Sequence, residues 1–311
     1  MPKFMCPYNT IVIGSLRNRQ SLMKFIRQLF YISIYTNLLI ALAAMAQCAL
    51  TYYVFSQPMN YAIILVEGAA TLMLYNFSLL WSRPENPQES RFARTRWVFG
   101  NEWVLWLNTI IAAGILLYCL FQIHFNSFLF LGVIGLLSVL YGFPVFRYQG
   151  RRVGLRQLPG AKIFHIAFVW VCSSVILPYI ELFSEGIMIN TRLLGALAVL
   201  KFLLLIICTL PFDIRDIAQD SYYHLKTLPN MLGEKKAKRL CYTLLLIHIT
   251  LIAVTGYNPG IVLGLLLTDI LIAAFLKFFV FRKEGHYHYA YLLDLSLILQ
   301  FVLVFLTVNL L

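Results

Sequence analysis

The chain has 311 residues, of which 60% are hydrophobic and only 12% charged, with 25 Lys and Arg against 13 Asp and Glu and a formal net charge of +12. Soluble domains carry about 25% charged residues, so this composition excludes an ordinary water-exposed globule and implies an integral membrane protein. A strongly basic soluble chain suggests nucleic acid, but here the positive charge collects on one set of loops, and no nucleic-acid partner is expected.

The chain opens with a basic segment, 1–28. Within it SLRNRQSLMKFIRQ (15–28) alternates basic and apolar residues at helical spacing. That stretch reads either as an amphipathic helix lying on anionic membrane lipid or as a plain basic flank. No small-residue cleavage site follows a short apolar core, so no cleavable signal peptide is expected.

Residues 29–311 read as a single transmembrane domain. A membrane helix needs about 20 mostly apolar residues, and nine stretches qualify: 29–55, 60–82, 102–122, 125–143, 161–183, 191–211, 237–257, 259–281 and 289–311. Short gaps, such as SQPMN (56–60), HFN (124–126) and NPG (258–260), alternate with long ones. The long gaps and the N-terminal segment carry all the basic residues except Arg192 and Lys201. Basic residues mark cytoplasmic loops. The fold class is therefore an all-α bundle of nine transmembrane helices, with its N-terminus cytoplasmic and its C-terminus outside. With no transit peptide evident, a bacterial inner (cytoplasmic) membrane is favoured.

The six cysteines form no CxxC pair, and five lie in or beside apolar runs, where they read as small core residues. His286 and His288 form an HxH beside Glu284, an interfacial feature more than a metal site. Glu67, Lys201, Asp269 and Asp294 fall inside predicted spans, and ionisable groups there are paired or functional by default.

The chemistry concentrates in FDIRDIAQD (212–220), at the end of the sixth span. On a continuous helix, at about 100° per residue, Asp213, Asp216 and Asp220 fall within about 60° of one another and Arg215 roughly opposite. Three carboxylates on one face repel one another unless a cation lies between them. Mg²⁺ takes oxygen ligands, typically one or two carboxylates plus substrate phosphates. This face suits Mg²⁺ and a phosphorylated substrate. Lys226, in the loop beyond, is either a phosphate ligand or one more basic loop residue. Lys162, at the start of the fifth span, is placed to reach substrate or to snorkel.

DIRDIAQD followed by LKTLPNMLGEKKA resembles the second aspartate-rich motif, and the loop after it, of the UbiA superfamily of intramembrane prenyltransferases. LYGFPVFR (140–147) and GLRQLPGAKIFHIAFVW (154–170) are similar to that family's loop between its fourth and fifth helices, and YLLDLSLILQ (291–300) to its last helix. The resemblance implies a UbiA-like bundle that binds a polyprenyl diphosphate through Mg²⁺. Diphosphate leaves, and a lipophilic acceptor, often aromatic, captures the allylic cation. It implies Asp213, Asp216 and Asp220 as metal ligands; in the leading reading Lys226, with Arg83, Arg91, Arg94 and Arg96 of the loop after the second span, holds the diphosphate. Tyr141, Arg156 and Lys162 are implied as further substrate contacts.

The family's first motif, NDxxDxxxD, departs here. The matching stretch YNFSLLWSRPEN (75–86) keeps Asn76 but has Phe77, Leu80 and Pro84 where acids are expected. Three readings stay open. Glu85 or Glu89 serves as a ligand; arginines of the 83–96 stretch do the metal's electrostatic work; or diphosphate chemistry has been lost. The leading reading is a Mg²⁺-dependent prenyltransferase. The alternatives are a non-catalytic isoprenoid carrier on the same scaffold and an isoprenoid cyclase.

Overall fold

The computed structural model describes residues 28–90, 93–142, 146–148, 151–153, 158, 160–222, 226–282 and 289–310. The possible amphipathic segment 15–28 (all but its last residue), Arg91, Arg156, and the Glu284–His286–His288 group lie outside the described residues.

The chain is a helical bundle. Helix α1 (Gln28–Tyr35) meets α2 (Leu38–Val54) at a bend of 79°, so the first predicted span is one broken helix. The break has a local cause. Asn37 adopts φ 62°, ψ 11°, a left-handed conformation that asparagine tolerates better than most residues. Helix α3 (Tyr61–Trp81) begins at Asn60, whose side-chain oxygen accepts from the Ile63 N–H at 3.2 Å. This is an N-cap that satisfies one of the helix's orphan donors. A 3₁₀ turn (Pro87–Glu89) and the short α4 (Ala93–Gly100) lead into α5 (Glu102–Leu120) and α6 (Phe125–Gly142).

A two-stranded antiparallel hairpin follows, β1 (Phe146–Tyr148) with β2 (Arg151–Val153), in the register Phe146 opposite Val153. Helix α7 (Ala161–Ser184) contains a π-helical segment, Cys172–Ile176. Then come α8 (Thr191–Arg215), α9 (Ile217–Tyr222), α10 (Leu228–Leu232), α11 (Glu234–Ala253), α12 (Pro259–Val280) and α13 (Tyr291–Leu310).

Among the described residues six helices are long and apolar enough to cross a membrane, α3, α5, α7, α8, α12 and α13, and the bent α1–α2 pair passes the same test when taken together. Two further predicted spans form helices outside that set. The α6 helix is apolar but shorter, and α11 carries Glu234, Lys235, Lys236, Lys238 and Arg239 in its first turns.

The closest helix packing joins α12 to α13. Gly260 and Gly264 lie one turn apart on α12. A Cβ added at Gly264 would come within 2.5 Å of the Val304 Cα, and one at Gly260 within 2.8 Å of the Val308 Cα. Small residues four apart let membrane helices approach to backbone contact. Thr307 seals the seam by donating to the Gly260 carbonyl at 2.7 Å. The outward side of α5 presents Trp103, Trp106, Ile110, Leu117 and Tyr118, as a lipid-facing helix would.

Polar groups inside the bundle are bonded to one another. Asp269 and His248 pair across α12 and α11 at 2.8 Å. Glu67 and Lys201 hydrogen-bond to neighbouring polar groups. Ser173 donates to Glu67 at 2.8 Å, and Lys201 donates to Thr51 at 2.9 Å and to the Gln47 carbonyl. Both arrangements use the π-helical segment of α7, where Ser173 and Ser174 sit. The five described cysteines are free.

Candidate active site at the basic end of the bundle

The three aspartates arrive on one rod but separate at its end. The α8 helix stops at Arg215, and Asp216 caps it with φ −91°, ψ 7° before α9 resumes the turn. Asp213 and Asp220 remain on the inward face, 4% and 3% exposed. Between them lies the ammonium of Lys162, from the first turn of α7. It is 2.6 Å from Asp213 Oδ1 and 3.5 Å from Asp220 Oδ2. Asp216 turns outward and takes a two-pronged bond from Arg215, at 2.7 and 2.9 Å. The expectation that Arg215 lies opposite the acids fails for Asp216, because the cap rotates that residue back toward its neighbour.

Burying two carboxylates side by side costs free energy unless a cation compensates them. One ammonium compensates only part of that charge, and Asp220 Oδ2 is buried with no hydrogen-bond partner. Mg²⁺ fits this donor set: two carboxylates, one of whose buried oxygens meets only the Lys162 ammonium at 3.5 Å without a hydrogen bond, with substrate phosphate oxygens as the usual remaining ligands. Asp213 and Asp220 are the residues that would hold it.

The loop after α9 is fixed against the start of α7. The Gly160 N–H donates to the Lys226 carbonyl at 2.8 Å, leaving the Lys226 side chain exposed. One turn beyond Lys162, His165 stacks on Tyr141 of α6, rings nearly parallel at 4.9 Å. The buried His165 Nε2 and the Thr227 hydroxyl have no partners.

Across the bundle, where the first acidic motif is missing, the structure places a chain of amides ending in a guanidinium. Asn76 is fully buried. It donates to Thr109 at 3.1 Å and accepts from the Asn37 amide at 2.9 Å. The other end of that amide, Asn37 Oδ1, accepts from Arg94 at 2.7 Å. Arg94 also feels the charges of Arg215 and Asp294. Burial of its head group, then the like charge of Arg215, pull Arg94 below the ordinary arginine value. Arg215 is paired with Asp216, so Arg94, bonded among the described residues only to an amide oxygen, is the guanidinium with capacity left for an anion.

Of the other predicted arginines, the two that are described, Arg83 and Arg96, are occupied elsewhere. Arg83 lies beyond the end of α3 and pairs with Glu102 at 2.9 Å. Arg96 bonds to the Ser90 carbonyl. Glu89 bonds to Asn86 at 3.3 Å on an exposed turn. Asn37 and Thr109 were not anticipated. Asn37 carried one legible signal, an amide interrupting an apolar run; Thr109 carried none.

No family model and no curated protein matches the chain. Solved structures do. A UbiA homolog from Aeropyrum pernix K1 aligns with a TM-score of 0.62 at 14% identity, over 87% of this chain and 98% of that one. A UbiA homolog from Archaeoglobus fulgidus, solved bound to DMAPP and Mg²⁺, aligns with a TM-score of 0.56 at 15% identity, over 90% of this chain and 99% of that one. A structure of digeranylgeranylglyceryl phosphate synthase aligns with a TM-score of 0.51 at 13% identity, over 89% and 96%. The chain has the fold of these UbiA homologues along nearly its whole length.

Proposed function

We propose that this chain, built on the UbiA fold, is a membrane-embedded prenyltransferase that uses Mg²⁺ and a polyprenyl diphosphate. The observation that carries the reading is the pair of buried carboxylates, Asp213 and Asp220, clasped by Lys162, with Asp220 Oδ2 buried and without a hydrogen bond. That pair sits at the end of the bundle where the basic loops gather. Bound there, Mg²⁺ would supply charge neutralisation for the departing diphosphate.

The protein's own groups do the rest. Lys162 and Arg94, with Lys226 at the rim, bring positive charge to the diphosphate oxygens. Fixed charges of this kind count most where diphosphate develops its charge. As the allylic C–O bond breaks, its electrons leave with diphosphate. The acceptor, lipophilic and of aromatic type, then bonds the cation and releases a proton. Aromatic side chains inside the bundle, such as the buried Trp170 and the half-buried Tyr75 that bonds to it, line the interior on α7 and α3. They exclude water and stabilise a passing cation. In the absence of acids at Phe77, Leu80 and Pro84, Arg94 takes the place of a second metal site.

The membrane reading goes with this. The domain 29–311 crosses nine times, counting the bent α1–α2 pair, α6 and α11. Its N-terminus is cytoplasmic and its C-terminus outside, in a bacterial-type inner membrane. The test is release of inorganic diphosphate by purified protein given geranyl, farnesyl or geranylgeranyl diphosphate, with Mg²⁺ or with EDTA, without and with aromatic acceptors. Release that needs Mg²⁺ and acceptor supports the transferase. Mg²⁺-dependent binding without release favours an isoprenoid carrier, a reading that the missing acids on α3 support. Release without acceptor favours a cyclase.

A further inference from the structure

At the other end of α7 from Lys162 lies a second group of ligand side chains. The helix has 24 residues, roughly 36 Å at about 1.5 Å per residue, so this group is independent of the aspartate site. We propose that His124, Glu181 and Glu185 hold one divalent transition-metal ion, with Zn²⁺ the best match.

Each of the three residues offers one ligand atom, and these atoms all lie within 4.8 Å of one another. They come from two places in the fold: His124 precedes α6, and Glu181 and Glu185, one turn apart, lie at the C-terminal end of α7. Glu181 is 1% exposed. It accepts from the His124 backbone N–H at 3.2 Å and meets His124 Nδ1 at 3.1 Å. Asn60 steadies both acids, its amide donating to Glu181 at 3.4 Å and to Glu185 at 3.3 Å. The Asn60 oxygen is committed to capping α3, so its amide hydrogens have to face the acids.

The arrangement leaves charge uncompensated. Two carboxylates share a partly buried site with a neutral amide and one imidazole, and such a pair calls for a cation. A second observation points the same way. The Tyr52 hydroxyl is fully buried, has no hydrogen-bond partner, and lies within the field of both Glu181 and Glu185. A buried hydroxyl without a partner beside two acids is a polar group that a ligand-bound water would satisfy. Exposed His124 and Glu185 leave an entry path.

One imidazole with two carboxylates suits a transition metal. Ca²⁺ takes six to eight oxygens and Mg²⁺ prefers carboxylate, phosphate and water, whereas Zn²⁺ readily combines histidine with Glu or Asp at low coordination number. The ion would tie the start of α3, the start of α6 and the end of α7 together.

The experiment uses tag-free full-length protein in nanodiscs, stripped with chelator, loaded with Zn²⁺ and desalted, with bound zinc counted by atomic emission. Wild type and Asp220→Asn should each retain one zinc ion per chain, undisplaced by excess Mg²⁺, and both His124→Ala and Glu185→Gln should lose it. Co²⁺ loaded in place of Zn²⁺ should give a visible absorption band in wild type that both variants lack. No retained zinc in wild type, or retention by either variant, overturns the site. Should His124→Ala fail to fold, Glu185→Gln decides alone, because its side chain is exposed. Prenyl-diphosphate turnover plays no part in the readout, so the site and the proposed function fail separately.

Discussion

Lys162 of α7 and Asp213 of α8 meet at 2.6 Å, and the same ammonium lies 3.5 Å from Asp220. Removing the lysine leaves two buried carboxylates facing each other. Breaking a buried ion pair from one side costs about 3–5 kcal/mol, so Lys162→Met should lower thermal stability in detergent. Adding Asp220→Asn to that variant should recover part of the loss, since it removes one of the stranded charges. Equal melting temperatures for the single and double variants would contradict this.

The aspartates should separate by function. Asp213→Asn and Asp220→Asn remove the buried donors and should abolish Mg²⁺-dependent diphosphate release. Losing one group that stabilises developing charge costs about 10²–10³ in kcat, so a residual rate above that band would count against the assignment. Asp216 is bonded to Arg215 and partly exposed. Asp216→Asn should therefore cost less than either. An Asp216→Asn enzyme as dead as Asp220→Asn would put all three carboxylates on the ion.

Arg94 should control affinity for the diphosphate. A charge-assisted hydrogen bond contributes about 1.5–3 kcal/mol, about 10- to 100-fold in affinity. Arg94→Ala should weaken prenyl-diphosphate binding by that factor, measured by titration calorimetry. Arg94→Lys should not restore it, because an ammonium cannot keep both the Asn37 bond and the planar fork toward phosphate. Asn37→Ala should produce a smaller loss of the same kind, by freeing the guanidinium.

Gly264 should be intolerant of any side chain. Its Cβ position is 2.5 Å from the Val304 Cα, and backbone cannot move aside as a side-chain tip can. Overpacking typically costs about 1–3 kcal/mol. Gly264→Ala should lower the melting temperature measurably. Gly195→Ala, on α8 with nothing within 4 Å, should leave it unchanged or raise it.

Much of the scaffold was legible before any coordinates. Hydropathy located the helices because lipid gives a backbone no other way to satisfy its hydrogen bonds. The acids at 213, 216 and 220 stood out because so few charges occur in the chain. What escaped was anything decided by a partner distant in sequence. The bend at Asn37 is not a proline kink and carries no loud breaker. Asn37 became part of the site only because α2, α3 and α4 converge to set it between Asn76 and Arg94. As loop arginines Arg83, Arg94 and Arg96 are equivalent in the sequence; the fold gives the first to Glu102, the last to a carbonyl, and Arg94 to the buried Asn37.

The sequence by itself therefore determined a membrane bundle, the positions of its apolar runs, and a carboxylate-rich helix end at its basic side, because hydrophobic length and helical period are local properties. Tertiary structure decided which carboxylates share an ammonium, which arginine faces Asn37, and that His124 meets Glu181 and Glu185. Those pairings depend on where separate helices come to lie, and packing of whole helix faces sets that, not the spacing of residues along any one of them.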